Sequence, residues 1–280
     1  MLNAAHLSRQ ALPKRSLGQN FLVDGGIAHR MIDAMALSGS EVVVEIGGGR
    51  GAMTELLAGT VRRLIVVEID RYLAADLAER FKSFAEVTVI TADVLDLDPA
   101  TAFGLAPGEK AVVFGNIPYY ASSPILIWLA EHSRSFERAY LTMQREVAER
   151  ITAPPGGKAY GSISVRVAYA ALSRRLFSIP PSAFRPRPKV VSSYVEFSFH
   201  ERPPVDVPDE ALLFRLVRSA FAQRRKTLRN TLALLPETAG GFLSEVAAAT
   251  GIDFGRRGET LSLVEFAQLA TALSEARCRA

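Results

Sequence analysis

The sequence has little of what several classes of protein require. Its single cysteine, Cys278, cannot form an internal disulfide, and its four histidines show none of the spacings of a zinc site. No apolar run reaches the roughly 20 residues that a membrane-spanning helix needs. With 22% charged and 49% hydrophobic residues, the composition is that of a globular protein rather than a disordered one. We therefore expect a metal-free, cytoplasmic protein, with a monomer as the default state.

The charge of the chain is modest and positive. A formal net charge of +4 indicates a polyanionic partner only if the basic residues cluster. The first 16 residues, MLNAAHLSRQALPKRS, contain several basic residues, no acidic residue and no long apolar core. We expect a basic N-terminal arm over residues 1–16 rather than a secretory signal.

Short apolar runs alternate with helical patterns through the first two thirds of the chain. Strands are predicted over residues 41–47, 63–70, 86–93, 110–116 and 138–144. Helices are predicted between them over 51–59, 71–84 and 122–133. This alternation is typical of an α/β fold with a doubly wound parallel sheet that is covered on both faces.

The alternation ends in a proline-rich passage, IPPSAFRPRPKVV, over residues 179–191. A period-2 pattern predicts a late strand over 192–200, and residues 201–210 have the composition of a linker. Only helical patterns follow, including one long run over 211–235. We expect one domain over 17–203 and a small all-helical domain over 204–280.

A glycine-rich loop follows the first predicted strand. Gly47-x-Gly49-x-x-Ala52 fits a dinucleotide fingerprint, and Glu68 stands about 20 residues on, where a ribose hydroxyl would be bound. Glycines at this place allow close backbone approach to a ligand. The loop indicates a nucleoside-containing cofactor, and by itself it does not separate NAD from S-adenosylmethionine.

Carboxylates at the strand ends favour S-adenosylmethionine. Glu45 would complement the ammonium group of a methionine moiety and would disfavour a pyrophosphate. Glu68 ends the second predicted strand, and Asp93 ends the third, where it could accept a hydrogen bond from an adenine amino group. Such carboxylates also cap strand ends for local reasons, and Asp70 is expected to be solvated.

The fourth predicted strand ends in Asn116-Ile-Pro118-Tyr119, at the edge of the sheet where ligands bind. The amide of Asn116 could accept a hydrogen bond from an exocyclic amino group, and Pro118 stiffens the backbone without an N–H. Tyr119 offers a face for stacking on a base, with Phe184 of the proline-rich loop as the opposing wall. The alternatives are a proline turn with a core tyrosine, and a Phe184 that merely covers the core.

Basic residues cluster in the helical run AFAQRRKTLRNTLALL and just before it. If the run is one helix, Arg218, Arg225 and Arg229 fall near one face. A charge run on a helix is usually a solvated face, so the pattern alone leaves phosphate binding open.

Nine motifs, in order from about Lys14 to about residue 275, make the sequence familiar. It resembles the small-subunit rRNA adenine dimethyltransferases, the bacterial kasugamycin-sensitivity enzyme and its eukaryotic relatives. The motifs are KRSLGQNFL, VVVEIGGGRGAMTELL, VVEID, ADVL, GNIPY, MQREVAERI, AYGSISV, FRPRPKVVSSYV and AFAQRRKTLRNTL.

The resemblance implies a Rossmann-like methyltransferase domain that uses S-adenosylmethionine, and it implies roles for individual residues. The implied cofactor-binding residues are Asn20, Leu22, Gly47, Gly49, Glu68, Asp93 and Asn116. The implied catalytic set is Asn116, Pro118, Tyr119 and Phe184. Phosphate binding now becomes the favoured role of Arg218, Arg224, Arg225, Lys226 and Arg229, and Lys14, Arg15, Arg185, Arg187 and Lys189 could extend that surface.

The implied reaction is the transfer of four methyl groups to the N6 atoms of two adjacent adenosines near the 3′ end of small-subunit rRNA, within an assembling subunit. Two positions depart from the family pattern: Gly48 stands where bacterial members often have proline, and Tyr120 where asparagine is expected.

Three rival functions stay open. The large-subunit rRNA adenine methylases of macrolide resistance share NIPY, but QRRKTLRNTL and FRPRPKV favour the small-subunit family. A ribosome-assembly or nucleic-acid-binding factor without catalysis would have no need of Glu68, Asp93 and Asn116 together. An NAD-dependent dehydrogenase would need a hydride-site acid, which is not evident.

Overall fold

Strands form where the sequence has short, β-branched apolar runs. The computed structural model describes residues 19–238 and 241–279. Its strands are β1 Phe21–Leu22, β2 Val42–Ile46, β3 Arg63–Glu68, β4 Val87–Thr91, β5 Ala111–Gly115, β6 Phe136–Gln144, β7 Ala171–Ile179, β8 Phe184–Arg185 and β9 Ser192–Phe199. The expected buried strand β2, VVVEI, is buried at all five positions, as a strand covered on both faces should be.

Seven of these strands form one sheet in the order β4-β3-β2-β5-β6-β9-β7, and β1 pairs with β8 in a separate ribbon. The pairs β3/β4, β2/β3, β2/β5 and β5/β6 are parallel, whereas β9 runs antiparallel to β6. The chain builds outward from β2 to β4 on one side and then continues from β5 on the other. The switch point between β2 and β5 is where ligands bind in such sheets.

Eleven α-helices occur in the described residues. They are α1 Gly25–Met35, α2 Thr54–Leu57, α3 Arg71–Arg80, α4 Pro99–Ala102, α5 Ser122–Glu131, α6 Arg145–Ile151, α7 Ser162–Ala170, α8 Glu210–Ala222, α9 Leu228–Leu232, α10 Phe242–Thr250 and α11 Leu263–Arg279. The Asp24 carboxylate caps α1 by accepting a hydrogen bond from the Ile27 amide at 3.0 Å.

The predicted α/β fold is confirmed. Each of the five strands predicted in the first part of the chain is present, as is the late strand, now β9, and the predicted helices correspond to α2, α3 and α5. Helices α1 and α7 and strand β7 were not predicted. No helix of the described residues is both long and apolar enough to cross a membrane.

The predicted continuous helix over 211–235 is wrong. Helix α8 ends at Ala222, and α9 begins only at Leu228, after a turn in which the Lys226 amide donates to the Gln223 carbonyl. Thr227 has an extended backbone, and the amide of Leu228 donates to the Arg256 carbonyl at 2.8 Å. The first amide of α9 is therefore bonded to a carbonyl outside the helix rather than to one in a preceding turn of α8. A new helix begins at this point.

The chain divides into two compact units whose bounds differ from the predicted domains. One unit runs to Ala148 and resumes over Arg174–Phe199, and the other comprises Glu149–Ser173 and the chain from His200 onward. The reason lies in α7, where Val165 and Tyr169 pack with α8 and α11 in the core of the helical unit. The first unit has its own core between the sheet and helices α1, α2 and α3. The division at residue 203 stays a prediction.

Candidate functional site

A cleft opens at the carboxyl ends of β2, β3 and β5, within the first unit. Residues 19–22 and the segment that follows β4 also line it. All ten residues predicted to bind the cofactor or the target base line this one cleft: Asn20, Leu22, Gly47, Gly49, Glu68, Asp93, Asn116, Pro118, Tyr119 and Phe184. Residues up to 164 positions apart in sequence are thus brought together by the parallel strand order.

The glycine loop after β2 is held close to β3. The Gly47 amide donates to the Val67 carbonyl at 2.8 Å, and the Gly49 amide donates to Oε2 of Glu68 at 2.8 Å. Gly47 and Gly49 have φ values of 78° and 55°, in the left-handed region that favours glycine. The loop therefore needs glycine at both positions, and Glu68 fixes its shape.

Gly48 was expected to depart from the pattern of the family that the sequence resembles, and its surroundings leave no room for a larger residue. A Cβ atom at this position would lie 2.4 Å from Cγ1 of Val66 and 2.8 Å from Cδ1 of Leu77. Both neighbours are buried in the core beneath the sheet, and Val66 is β-branched and stiff. The loop thus lies directly on β3 and α3.

Glu68 is a buried carboxylate with both oxygens engaged. Its Oε1 accepts a hydrogen bond from the Asp70 amide at 2.9 Å, while Oε2 accepts the bond from Gly49. Burial raises the pKa of Glu68 above its ordinary value, and the two backbone donors act in the opposite direction. The side chain links the ends of β2 and β3 at the floor of the cleft.

Glu45 lies deeper, 2% exposed, and accepts a hydrogen bond from the Thr54 hydroxyl at 2.6 Å through Oε2. The pKa of Glu45 is raised to about 8, chiefly by burial and also by the neighbouring Glu68, while the Thr54 hydroxyl acts in the opposite direction. Burial therefore favours the protonated form of this carboxyl group, and a cation beside it would favour the carboxylate.

The Glu45 carboxyl should make the stability of the ligand-free protein depend on pH. Its folded-state pKa of about 8 lies above the unfolded value of 4.5, so its contribution is fully present below pH 4.5 and is lost as pH rises through 8. We expect Glu45→Gln to remove this part of the pH dependence, which is on the order of a few kcal/mol. Urea unfolding of both proteins from pH 5 to pH 8.5 measures it. A constant stability difference between the two across this range would contradict the assignment.

Asp93 and Asp70 both cap the structure that follows their strands. Oδ1 of Asp93 accepts a hydrogen bond from the Leu95 amide at 3.0 Å, which orients the carboxylate at the edge of the cleft. The expectation that Asp70 is solvated is wrong. It is 4% exposed, because its carboxylate caps α3 by accepting from the Tyr72 amide at 3.0 Å.

Asn116 follows β5 and is partly buried beside the segment that precedes β1. Its Nδ2 donates a hydrogen bond to the backbone carbonyl of Asn20 at 3.1 Å, across 96 residues of sequence. This bond occupies one N–H of the amide and fixes which end is the acceptor. The carbonyl oxygen of the side chain is the group that can accept a hydrogen bond from a ligand.

The two tyrosines of the next turn differ. Tyr119 is partly buried, and its hydroxyl lies 2.8 Å from Oγ of Ser192 at the start of β9. Burial raises the pKa of Tyr119, so it is a neutral phenol at physiological pH. Tyr120 is 61% exposed and also lines the cleft.

Phe184 contributes to the cleft from within the core. It is 2% exposed, belongs to the core of the first unit, and stands opposite Leu22 in the β1/β8 ribbon. The ribbon thus joins the residues before α1 to the proline-rich loop. A sandwich of the base between Phe184 and Tyr119 stays a prediction.

Sequence reasoning missed some of the cleft. The guanidinium of Arg50 lies over the ring of Phe21, 4.6 Å from its centroid, and both line the cleft. Phe21 stands inside the motif KRSLGQNFL, which could have indicated it. Ser192 stands inside the motif FRPRPKVVSSYV, but that motif does not indicate its bond to Tyr119, because the bond depends on the pairing of β9 with β6. No group of residues suited to a metal ion occurs in 19–238 and 241–279.

The five predicted RNA-binding residues do not share one helix face. Arg218 lies on α8, Arg229 on α9, and Arg224, Arg225 and Lys226 in the turn between them. All five are exposed. The proposed face is wrong because of the turn at 223–227, whereas the exposure suits a basic surface. Lys14 and Arg15 lie outside the described residues.

Arg224 also has a structural role in the helical unit. Its Nη2 donates hydrogen bonds to the carbonyls of Lys158 and Tyr160, at 3.0 and 2.9 Å, and lies 3.4 Å from Oε2 of Glu259. These bonds hold the loop before α7 against the turn. Within this surface, the exposed Arg225, Lys226 and Arg229 are the better candidates for phosphate contacts.

Comparisons with known proteins give the family of the chain. The family model described as Ribosomal RNA adenine dimethylase matches residues 11–269. The Ribosomal RNA small subunit methyltransferase A of Acidobacterium capsulatum is 42% identical over 265 residues, covering 94% of this chain and 92% of the relative. The protein of the same name from Bacillus mycoides is 39% identical over 268 residues, covering 93% and 91%.

Two solved structures share the fold. A dimethyladenosine transferase from Plasmodium falciparum has a TM-score of 0.73 at 23% identity, covering 91% of this chain and 98% of its own. The 23S rRNA methyltransferase ErmE has a TM-score of 0.66 at 22% identity, covering 91% and 100%. The family match over most of the chain and the close curated relatives lead to one conclusion: this chain belongs to the ribosomal RNA adenine dimethylase family.

Proposed function

We propose that this protein uses S-adenosylmethionine to place two methyl groups on the N6 atom of each of two adjacent adenosines near the 3′ end of small-subunit rRNA. The observation that carries the proposal is the bond from the Asn116 amide to the Asn20 carbonyl, which orients Asn116 in a cleft that three carboxyl groups line. The family and the names of the curated relatives support the same reaction and the small-subunit target.

The residues of the cleft fit a cationic nucleoside cofactor. Glu45, Glu68 and Asp93 bring carboxyl groups to a cleft whose glycine loop allows close backbone approach. A dinucleotide pyrophosphate would meet these groups with charge repulsion, whereas S-adenosylmethionine carries a sulfonium and an ammonium group. When bound, it supplies an electrophilic methyl group. Glu68 would hold the ribose, Asp93 the adenine, and Glu45 would attract the ammonium group.

The residues around Asn116 position the target amine. The Asn116 carbonyl oxygen accepts a hydrogen bond from one N–H of the N6 amino group. This bond orients the amine so that the lone pair of N6 is directed out of conjugation with the adenine ring. Pro118 adds no N–H that would compete for this acceptor. The ring of Tyr119 supports the base, and its bond to Ser192 holds the ring in place. Catalysis rests on this alignment.

The target base must leave its stack to reach the cleft, so a single-stranded or loop segment of the RNA suits the site. The exposed basic residues of the helical unit would contact phosphates of the same RNA. The rival function, methylation of large-subunit rRNA, has support only from the shared fold of ErmE. A sequence identity of 22% does not indicate that two proteins act on the same substrate. The curated relatives, at 39% and 42% identity, bear a small-subunit name.

Removing Arg225 and Lys226, two exposed cations of the turn, should weaken binding through electrostatics alone. We expect Arg225→Ala combined with Lys226→Ala to lower the slope of log affinity against log salt concentration by roughly 1.5–2, at little cost in the maximal rate. Binding of undermethylated small subunits across a salt series measures this slope. Arg134→Ala, an exposed arginine of the other unit, is the control. An unchanged slope in the double variant would remove the turn from the RNA interface.

The reaction itself is tested by its product. The protein, labelled S-adenosylmethionine and undermethylated small subunits should yield N6,N6-dimethyladenosine when the RNA is digested to nucleosides. Label only as N6-monomethyladenosine would contradict dimethylation. No label at all would contradict the proposed activity.

A further inference from the structure

Tyr120 is a large aromatic side chain that the fold leaves exposed at the edge of the cleft. It is 61% exposed, lines the cleft, and belongs to neither hydrophobic core. Its neighbour Tyr119 is partly buried and bonded to Ser192. A bond within the fold therefore holds Tyr119, whereas the ring of Tyr120 is exposed to solvent at the cleft.

The backbone presents Tyr120 from a rigid turn. Pro118 has φ −59° and ψ 142°, and the Ala121 amide donates to its carbonyl at 3.0 Å. The ten-residue helix α5 begins two residues after Tyr120. A ring on such a support loses little backbone freedom when a ligand binds, which suits a preformed stacking surface.

The order of residues from the inside of the cleft outward indicates which part of an RNA ligand the Tyr120 ring would contact. Asn116 and Tyr119 are partly buried and would hold the target adenine, whereas Tyr120 is exposed beside them. An extruded nucleotide remains joined to its neighbours through the RNA backbone. The next base in the strand would therefore remain at the mouth of the cleft, where the exposed ring lies.

We propose that Tyr120 stacks on the nucleobase next to the target adenine and thereby sets how tightly the RNA strand is held. The inference rests on the proposed methylation of RNA and adds a residue that contacts the substrate outside the reacting base. Stacking tolerates any base, because every base has a π-face. Tyr120 thus acts in substrate binding rather than in the transfer of the methyl group.

The test separates substrate affinity from rate. Methyl transfer is measured over a range of concentrations of undermethylated small subunits with the wild type, Tyr120→Ala and Tyr120→Phe. Because stacking on one base is worth a factor of roughly 5–100, Tyr120→Ala should raise KM by that factor with kcat within about threefold. Tyr120→Phe keeps the ring and should restore the wild-type KM. Tyr72→Ala, which removes a tyrosine that is 60% exposed on α3, is the matched control and should leave KM unchanged.

A second arm identifies the base. The substrate here is a small subunit rebuilt with an abasic residue next to the target adenosine. On this substrate the wild type should show the same raised KM as Tyr120→Ala, and the KM of Tyr120→Ala should not rise further. A persistent difference between the two on abasic subunits would overturn the assignment to the neighbouring base. So would weaker cofactor binding by Tyr120→Ala, which would place the ring in the cofactor site. A wild-type KM in Tyr120→Ala would overturn this inference alone, whereas an inactive wild type would overturn the proposed function with it.

Discussion

Replacing Asn116 with alanine is expected to lower the rate of methyl transfer by about 10²–10³-fold, the loss typical of removing one oriented polar group from an active site. The side chain is the acceptor that orients the target amine, and its own orientation comes from the bond to the Asn20 carbonyl. Single-turnover methyl transfer at saturating cofactor and small subunits measures the rate.

The same variant should bind S-adenosylmethionine within a few-fold of the wild type, because it loses only the one bond to Asn20 on the cofactor side. Calorimetry gives that affinity. Asn230→Ala, an exposed asparagine of α9, is the matched control and should keep the wild-type rate. A rate in Asn116→Ala within a few-fold of wild type would remove Asn116 from the mechanism.

Replacing Glu68 with alanine is expected to weaken cofactor binding by roughly 10²-fold, since hydrogen bonds to a charged group contribute about 1.5–3 kcal/mol each. The loss has two parts. The carboxylate would no longer meet the ribose, and the amides of Gly49 and Asp70 would lose their acceptor, so the glycine loop would lose its shape. Calorimetric titration with S-adenosylmethionine measures the affinity.

Glu68→Gln separates the two parts, because glutamine keeps one acceptor oxygen and the same shape. We expect its affinity to lie between the wild type and Glu68→Ala. Asp76→Ala, which removes an exposed carboxylate on α3, should bind the cofactor as the wild type does. If Glu68→Ala bound within threefold of the wild type, the carboxylate could not be a ribose contact.

Much of the site was predictable because its signals are local. The apolar runs of the sheet, the glycines after β2 and the carboxylates at the strand ends are patterns a few residues long. Parallel strands then bring their carboxyl ends to one edge, which placed Glu68, Asp93 and Asn116 in one cleft. The sequence could therefore indicate which residues meet, although not how they bond.

The features that sequence did not predict depend on contacts between distant residues. The helix break at 223–227 follows from bonds between the start of α9 and residues 254–256, which no local pattern contains. Arg224 bonds to carbonyls more than 60 residues away, so a charge run could not distinguish it from Arg225. Strand β7 has an irregular burial pattern at the edge of the sheet, where the period-2 signal is weak.

The measurement that tests the account most directly is the position of the label. Small and large ribosomal subunits from undermethylated cells are incubated in parallel with this protein and labelled S-adenosylmethionine, and the labelled nucleotides are mapped by primer extension. The account predicts label on two adjacent adenosines near the 3′ end of the small-subunit RNA, lost in Asn116→Ala. Label in large-subunit RNA, or at scattered small-subunit adenosines, would contradict it.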